Sequence, residues 1–385
     1  MRLPVSRIKA ENFRSLDEVD VSLGPFSVLV GPNGSGKSNL LRVLSFIRDT
    51  ARFDIDNTLR LAGGYDHIHR QARGAGAVVL QVEGQVTTHA SEGAPDSYRL
   101  RLNRATTGVT RTEELNFKRM AGPGRRILVQ DTRVRIGATS QMRLATSRTS
   151  GLGTLAKVSA DEFGPGPREF VDFLTSIRYL DPDVNAAREP SRLLASPLAD
   201  DASNLAGALY ALSHDDPDSF GLLQRDLARC LPGLERVDLT PIGGSALSIV
   251  VQLRESGVSA PIDLADASFG TVRLLALLTA LHDPAPPKLT IIEEVDHGLH
   301  PHALDVLVDR MRAASRHTQL LVASHSPTLV NRLTPAEVII CDRDPQTGAS
   351  VIPAIDSNEI SAALKNTDLR AGELWFSGAL GGVPS

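Results

Sequence analysis

Apolar and polar residues alternate in two short runs near the start of the chain, which predicts strands over residues 7–13 and 18–23. Residues 26–30, Phe-Ser-Val-Leu-Val, read as a buried strand, and a glycine-rich turn follows at once. Leu40, Leu41, Leu44 and Ile47 then recur at helical spacing and predict a helix over 37–48. From residue 77 the pattern changes to strand-like runs over 77–82, 98–102 and 127–136, divided by Gly, Ser, Thr and Pro clusters, and residues 137–170 read as a linker or loop. Helices are expected over 204–212 and 222–230, and a pair of strands over 236–253. Beyond residue 262 helix and strand alternate: helices over 271–282, 303–314 and 328–333, strands over 289–292, 319–323 and 337–341. Such alternation predicts an α/β core with a mostly parallel sheet, split in sequence by the β-rich stretch.

Bulk properties narrow the class. A chain of 385 residues with 42% apolar and 22% charged residues suits one large or two medium globular domains. The net charge of −4 carries no global basic signal, so a contact with nucleic acid needs a local patch. Cys230 and Cys341 match no disulfide or zinc spacing and fit a reducing compartment. No run approaches the roughly 20 apolar residues that span a bilayer, and the polar start does not read as a secretory signal. The expectation is a cytoplasmic protein with no membrane partner.

Candidate chemistry begins at Gly31, Pro32, Asn33, Gly34, Ser35, Gly36, Lys37 and Ser38, a Gly-x4-Gly-Lys-Ser pattern between strand and helix. Glycines permit a tight loop whose N–H groups face phosphates, and the helix adds its positive dipole end. Lys37 is expected on the β- and γ-phosphates and Ser38 on magnesium, so the cofactors are ATP and Mg2+. The strand over 289–292 ends in Glu293 and Glu294, where a parallel sheet places its ligands. Glu293 is assigned to the magnesium side and Glu294 to the general base that orients water. His325 follows the next apolar strand to the same sheet edge and is placed at the γ-phosphate or the attacking water. Asp296, His297, His300 and His302 meet no zinc spacing.

The order of these motifs resembles the ABC-type ATPases that include SMC, RecF and OLD proteins, especially the stand-alone bacterial AAA-type ATPases related to OLD. The resemblance runs from Ile8-Lys-Ala-Glu-Asn-Phe-Arg-Ser-Leu16 through the phosphate loop to Ala267-Ser-Phe-Gly-Thr-Val-Arg-Leu-Leu275. It continues through Ile292-Glu-Glu-Val-Asp-His-Gly-Leu-His-Pro301 and Ala323-Ser-His-Ser-Pro327 to Glu373-Leu-Trp-Phe-Ser-Gly-Ala-Leu-Gly-Gly382, with a looser match at Ala202-Ser-Asn-Leu-Ala206. It implies an α/β P-loop NTPase of ABC/SMC-head type, with core halves 1–76 and 261–356, a β-rich and helical insertion 77–260 and a tail 357–385. By position it makes Ser268 and Gly270 a signature loop acting in trans, with Phe269 where relatives have an acid or glycine and Val295 where most have proline. Asn12 and Arg14 fall at the family's strand turn beside the nucleotide, and Gln71 is a candidate for its glutamine-bearing loop. One chain then holds one of each loop, which implies an ATP-dependent homodimer.

Residues 99–148 hold twelve Arg or Lys against three acids, a local charge of +9. That segment reads either as a track for a DNA backbone or as a solvated or protein-docking β surface. OLD nucleases carry a Toprim nuclease domain after the ATPase, whereas only 60 residues follow His325, so nuclease activity is expected in a separate effector subunit. Asp342 and Asp344 read as a turn. The leading function is an ATPase switch in DNA repair or phage defence. The alternatives are an ATP-gated scaffold with little turnover and, less well matched, a transporter's nucleotide-binding subunit, whose Leu-Ser-Gly-Gly-Gln loop is missing here.

Overall fold

The computed structural model describes residues 2–72, 74–106, 108–119, 124–137, 140–146, 148–158, 164–192, 197–243 and 248–381. It divides into two compact units, Met1–Ile177 with Pro335–Ser385, and Arg178–Thr334. The sequence suggests boundaries near 76, 260 and 356, so the compact units cut the chain on other lines.

Backbone pairing accounts for the first of these differences. In the first unit the hairpin Arg7–Phe13 and Leu16–Ser22 continues directly into Val78–Gly84, with Ile8 opposite Val82 and Ala10 opposite Leu80. Asp96–Arg104, Val109–Phe117, Arg125–Gln130, Arg133–Ile136 and Ser140–Arg143 then add in turn, each antiparallel to the last. With Ser350–Val351 and Asp342–Arg343 on the other side they make a ten-stranded sheet. The β-rich stretch is therefore inserted in sequence yet joined by hydrogen bonds to the first hairpin. Tyr98, Leu100, Leu102, Leu115 and Phe117 point to the covered face, at most 3% exposed, as the period of two requires.

A second element of this unit is a parallel pair, Phe26–Val30 with Val338–Ile340. The helix Lys37–Arg52 buries Leu40, Leu41, Leu44 and Ile47 completely and packs against the helix Gly166–Ser176. The 137–170 stretch corrects the loop expectation: it carries Ser140–Arg143 and the helices Gly151–Leu155 and Gly166–Ser176, while 138–139, 147 and 159–163 lie outside the described residues. Its glycines serve close packing. A Cβ on Gly153 would lie 2.4 Å from the Ala51 carbonyl oxygen, and one on Gly166 would lie 2.7 Å from the Phe117 ring. The expected tail carries the helices Ser357–Lys365 and Ala371–Phe376.

The second unit holds the parallel strands Arg178–Leu180, Leu289–Ile292 and Gln319–Ser324. Its helices include Leu205–Asp215, Pro217–Cys230, Phe269–Leu281 and Pro301–Ala314. The antiparallel pair Leu234–Ile242 and Ser248–Glu255 stands beside them. Among the described residues, no helix is long and apolar enough to cross a membrane.

Candidate nucleotide site

In the first unit, the strand Phe26–Val30 is buried at every position and delivers the chain to Gly31. A Cβ there would lie 2.3 Å from the Cys341 carbonyl oxygen, so the turn closes only on glycine. Gly34 and Gly36 adopt φ values of 81° and 102°, a region that costs L side chains energy. Lys37 Nζ donates to the carbonyl oxygens of Gly31 at 2.7 Å and Pro32 at 2.9 Å, which draws the ammonium over the loop. The N-cap residue Gly36 has no side chain with which to cap the helix, and the positive end of the helix dipole there suits an anion. Ser35 Oγ is buried without a hydrogen-bond partner. An orphan hydroxyl, an uncapped helix start and a poised ammonium fit a polyphosphate, and the Ser38 hydroxyl is a hard oxygen donor suited to magnesium.

Asn12 and Arg14 lie in the same unit, Asn12 near the end of the first strand and Arg14 in the turn that follows it. Both have positive φ, 54° and 53°. Asn12 Nδ2 donates to the Ala77 carbonyl at 3.0 Å, and the Arg14 N–H to that of Ile68 at 2.7 Å. Between turn and loop helix stands Ser15, which accepts from Asn39 Nδ2 at 2.8 Å and shares a 2.6 Å hydrogen bond with Ser350 Oγ. Burial, with Arg42 nearby, lowers the Arg14 pKa from its ordinary value. Arg14 and Gln71 line a cavity of about 420 Å3 together with Arg70 and Arg343, which the sequence does not single out.

The second unit gathers the acids. Glu293 and Glu294 follow the buried strand Leu289–Ile292, and Glu294 takes φ 48°, which separates the two side chains. Tyr179 Oη donates to Glu293 Oε1 at 2.7 Å, whereas Glu294 Oε2 lies 3.0 Å from His297 Nδ1. Arg273, 3% exposed, donates to the backbone oxygens of Glu293 at 3.0 Å and Glu294 at 3.1 Å. Its burial lowers the guanidinium pKa.

On the next strand, Ser324 Oγ donates to Asp296 Oδ1 at 2.6 Å, and His325 Nε2 lies 3.8 Å from Asp296 Oδ2. Ser268 caps the helix Phe269–Leu281 by accepting the Thr271 N–H at 3.1 Å. Gly270 sits tightly against the turn after the acids: a Cβ there would lie 2.4 Å from the Gly298 carbonyl oxygen. The Phe269 ring lies 5.3 Å from that of His297. Glu293, Glu294, His325, Ser268 and Gly270 thus belong to one unit, linked through Asp296, His297 and Arg273.

Sequence reasoning passes over Tyr179, Arg273 and the anchoring role of Asp296. A signal exists for Arg273, the single charge in the otherwise apolar helix Phe269–Leu281, since a buried cation must find acceptors. None exists for Tyr179, whose strand has three residues.

These elements define a P-loop NTPase fold of the ABC/SMC-head type. The chain aligns over 95% of its length, and 99% of the other chain, with the SMC head domain with an extended coiled coil bound to the C-terminal domain of ScpA from Pyrococcus furiosus, at TM-score 0.56 and 13% identity. An SMC head bound to the C-winged helix domain of ScpA gives TM-score 0.55 at 14% identity, over 94% of this chain and 99% of that one. Likeness at such identity is one of fold.

The chain belongs to the family described as AAA domain, putative AbiEii toxin, Type IV TA system, whose model matches residues 26–331. It is similar to the OLD nuclease of Thermus scotoductus, 42% identical over 43 residues, which are 11% of this chain and 8% of that protein. It is also similar to the DNA replication and repair protein RecF of Brucella abortus, 31% identical over 110 residues and 27% of each chain. The chain thus spans a minor part of the length of these relatives. Its class is the ABC-type AAA ATPases related to SMC, RecF and OLD proteins.

Proposed function

We propose that this chain binds ATP with magnesium and hydrolyses it as a switch, two copies associating on ATP to act on DNA or on an effector protein in repair or phage defence. The phosphate loop carries the reading: Lys37 Nζ stands over the Gly31 and Pro32 carbonyls at the uncapped start of a 16-residue helix. Lys37 holds the β- and γ-phosphates, and Ser38 and Glu293 provide oxygen donors for magnesium. The metal supplies neutralisation of phosphate charge when bound. Glu294 takes a proton from the attacking water, and its 3.0 Å contact with His297 Nδ1 restrains the carboxylate. His325, beside Asp296, faces the γ-phosphate. Ser268 and Gly270 act on a nucleotide held by the other copy.

The test is ATP turnover with and without DNA, together with light scattering of a Glu294→Gln variant in ATP. Slow turnover and a dimeric variant are expected. A variant that stays monomeric in ATP sinks the association, and a wild-type chain that hydrolyses nothing in either condition leaves the ATP-gated scaffold instead.

A further inference from the structure

Two features stand outside this chemistry: the short strand Arg178–Leu180 and the sequence Ala202-Ser-Asn-Leu-Ala206. They belong to one bracket. On one side the strand pairs in parallel with Leu289–Ile292, Tyr179 opposite Ile291 and Leu180 opposite Ile292. On the other side it is held by the turn before Leu205. The Tyr179 N–H donates to Asp200 Oδ1 at 3.1 Å, the Asp181 N–H to the Asp200 carbonyl at 2.9 Å, and the Asp183 N–H to the Asp201 carbonyl at 2.9 Å.

That turn is itself locked. Ala202 takes φ 58°, the Ser203 N–H donates to Asp201 Oδ1 at 3.0 Å, and Asn204 accepts from the Ala199 N–H at 2.8 Å while donating to the Pro197 carbonyl at 3.0 Å. From the strand so fixed, the Tyr179 hydroxyl reaches Glu293 Oε1 at 2.7 Å.

We infer that Tyr179 is a positioning residue that sets the direction of the Glu293 carboxylate, and that the turn from Asp200 to Asn204 exists to hold it there. The inference rests on the reading of Glu293 as the magnesium-side acid. The hydrogen bond narrows the rotamers open to the Glu293 carboxylate, and fixing it in advance removes part of that cost from metal binding. A phenol suits the task because it donates one hydrogen bond and brings no positive charge to compete with a cation, as Lys or Arg would.

The full-length chain and Tyr179→Phe are titrated with a fluorescent ATP analogue, once in excess magnesium and once in EDTA. Equal affinities in EDTA are expected, with a magnesium-dependent gain about tenfold smaller in the variant, the scale of one hydrogen bond to a charged acceptor. The magnesium midpoint of ATP turnover rises by the same factor, while kcat at saturating magnesium stays within about twofold. Asp200→Ala, which loosens the strand from its outer side, gives the same selective loss. An equal magnesium gain in Tyr179→Phe and wild type overturns the inference, as does a loss of the same size in EDTA. If the unmodified chain gains nothing from magnesium, the nucleotide reading fails first and the inference falls with it.

Discussion

A Cβ on Gly36 would lie 2.1 Å from Ser350 Oγ, so the phosphate loop is closed by a strand more than three hundred residues further along the chain. Gly36 also takes φ 102°, and an L side chain there pays of order 1–2 kcal/mol even without the clash. Gly36→Ala is expected to weaken ATP binding by at least about tenfold. Adding Ser350→Gly restores only the part due to the clash. Calorimetric titration with ATP checks both, and wild-type affinity in Gly36→Ala contradicts the loop geometry.

The Phe269 ring is 43% exposed and rests beside His297. Being half-covered, it contributes about 1 kcal/mol to folding, so Phe269→Ala lowers the melting temperature only modestly. An exposed ring next to Ser268 at a helix start is a natural anchor for a second copy. In the Glu294→Gln background, Phe269→Ala is expected to weaken ATP-dependent association by about fivefold or more, measured by light scattering across protein concentration. Unchanged association removes the ring from the interface.

Asp226 is buried, 3.0 Å from His282 Nε2 and 2.7 Å from Arg310 Nε. Burial works to raise its pKa, but the hydrogen bonds from His282 and Arg310 outweigh it and hold the carboxyl below its ordinary value. A lowered folded-state pKa contributes stability above the unfolded value of about 3.9, and that stability is lost as pH falls through the folded value. Asp226→Asn is expected to cost about 3 kcal/mol at pH 7, with the gap to wild type narrowing below about pH 4. Urea unfolding between pH 7 and pH 3 measures this. A constant gap across the series excludes the charge as its cause.

Part of the basic segment is neutralised by acids. Arg111 is buried against Glu113, and Arg99, Arg104 and Arg126 pair with Glu11, Asp66 and Glu114. Arg133 and Arg143 instead face each other directly across antiparallel strands, an arrangement that repels and that a phosphate would relieve. Reversing both to Glu is expected to weaken DNA binding and to flatten its dependence on salt by about one unit of slope for each phosphate no longer neutralised. Arg104→Glu serves as the paired control. Fluorescence anisotropy over a salt series reads the effect, and a wild-type chain that binds no DNA leaves this face to a protein partner.

Strands buried on both faces are legible in the sequence: Phe26–Val30 and Leu289–Ile292 occupy the residues their apolar runs predict. The helix from Lys37 runs on to Arg52 because Thr50 and Ala51 continue its buried face. Val109–Phe117 escapes prediction because two of its inward positions are Arg111 and Glu113, which neutralise each other inside and disguise the alternation. The 127–136 run divides at Asp131, which turns with φ 49° without a glycine to mark it. Within the candidate site, the loop and the strand-end acids announce themselves by local spacing. Tyr179 touches Glu293 across 114 positions of chain, and no periodicity encodes such a meeting.

The ten-stranded sheet has a mechanical meaning. Counting outward from Arg7–Phe13, six ladders lead to Ser140–Arg143, and at a strand spacing of about 4.8 Å that is a reach of roughly 30 Å. The same first strand carries Asn12 and ends in the turn that holds Arg14. A load hung on Arg143 therefore pulls along a row of hydrogen bonds whose inner end is the hairpin beside the phosphate loop. The outer arginine-bearing strands are thus tied, strand by strand, to the hairpin whose Ser15 bonds Asn39 of the loop helix.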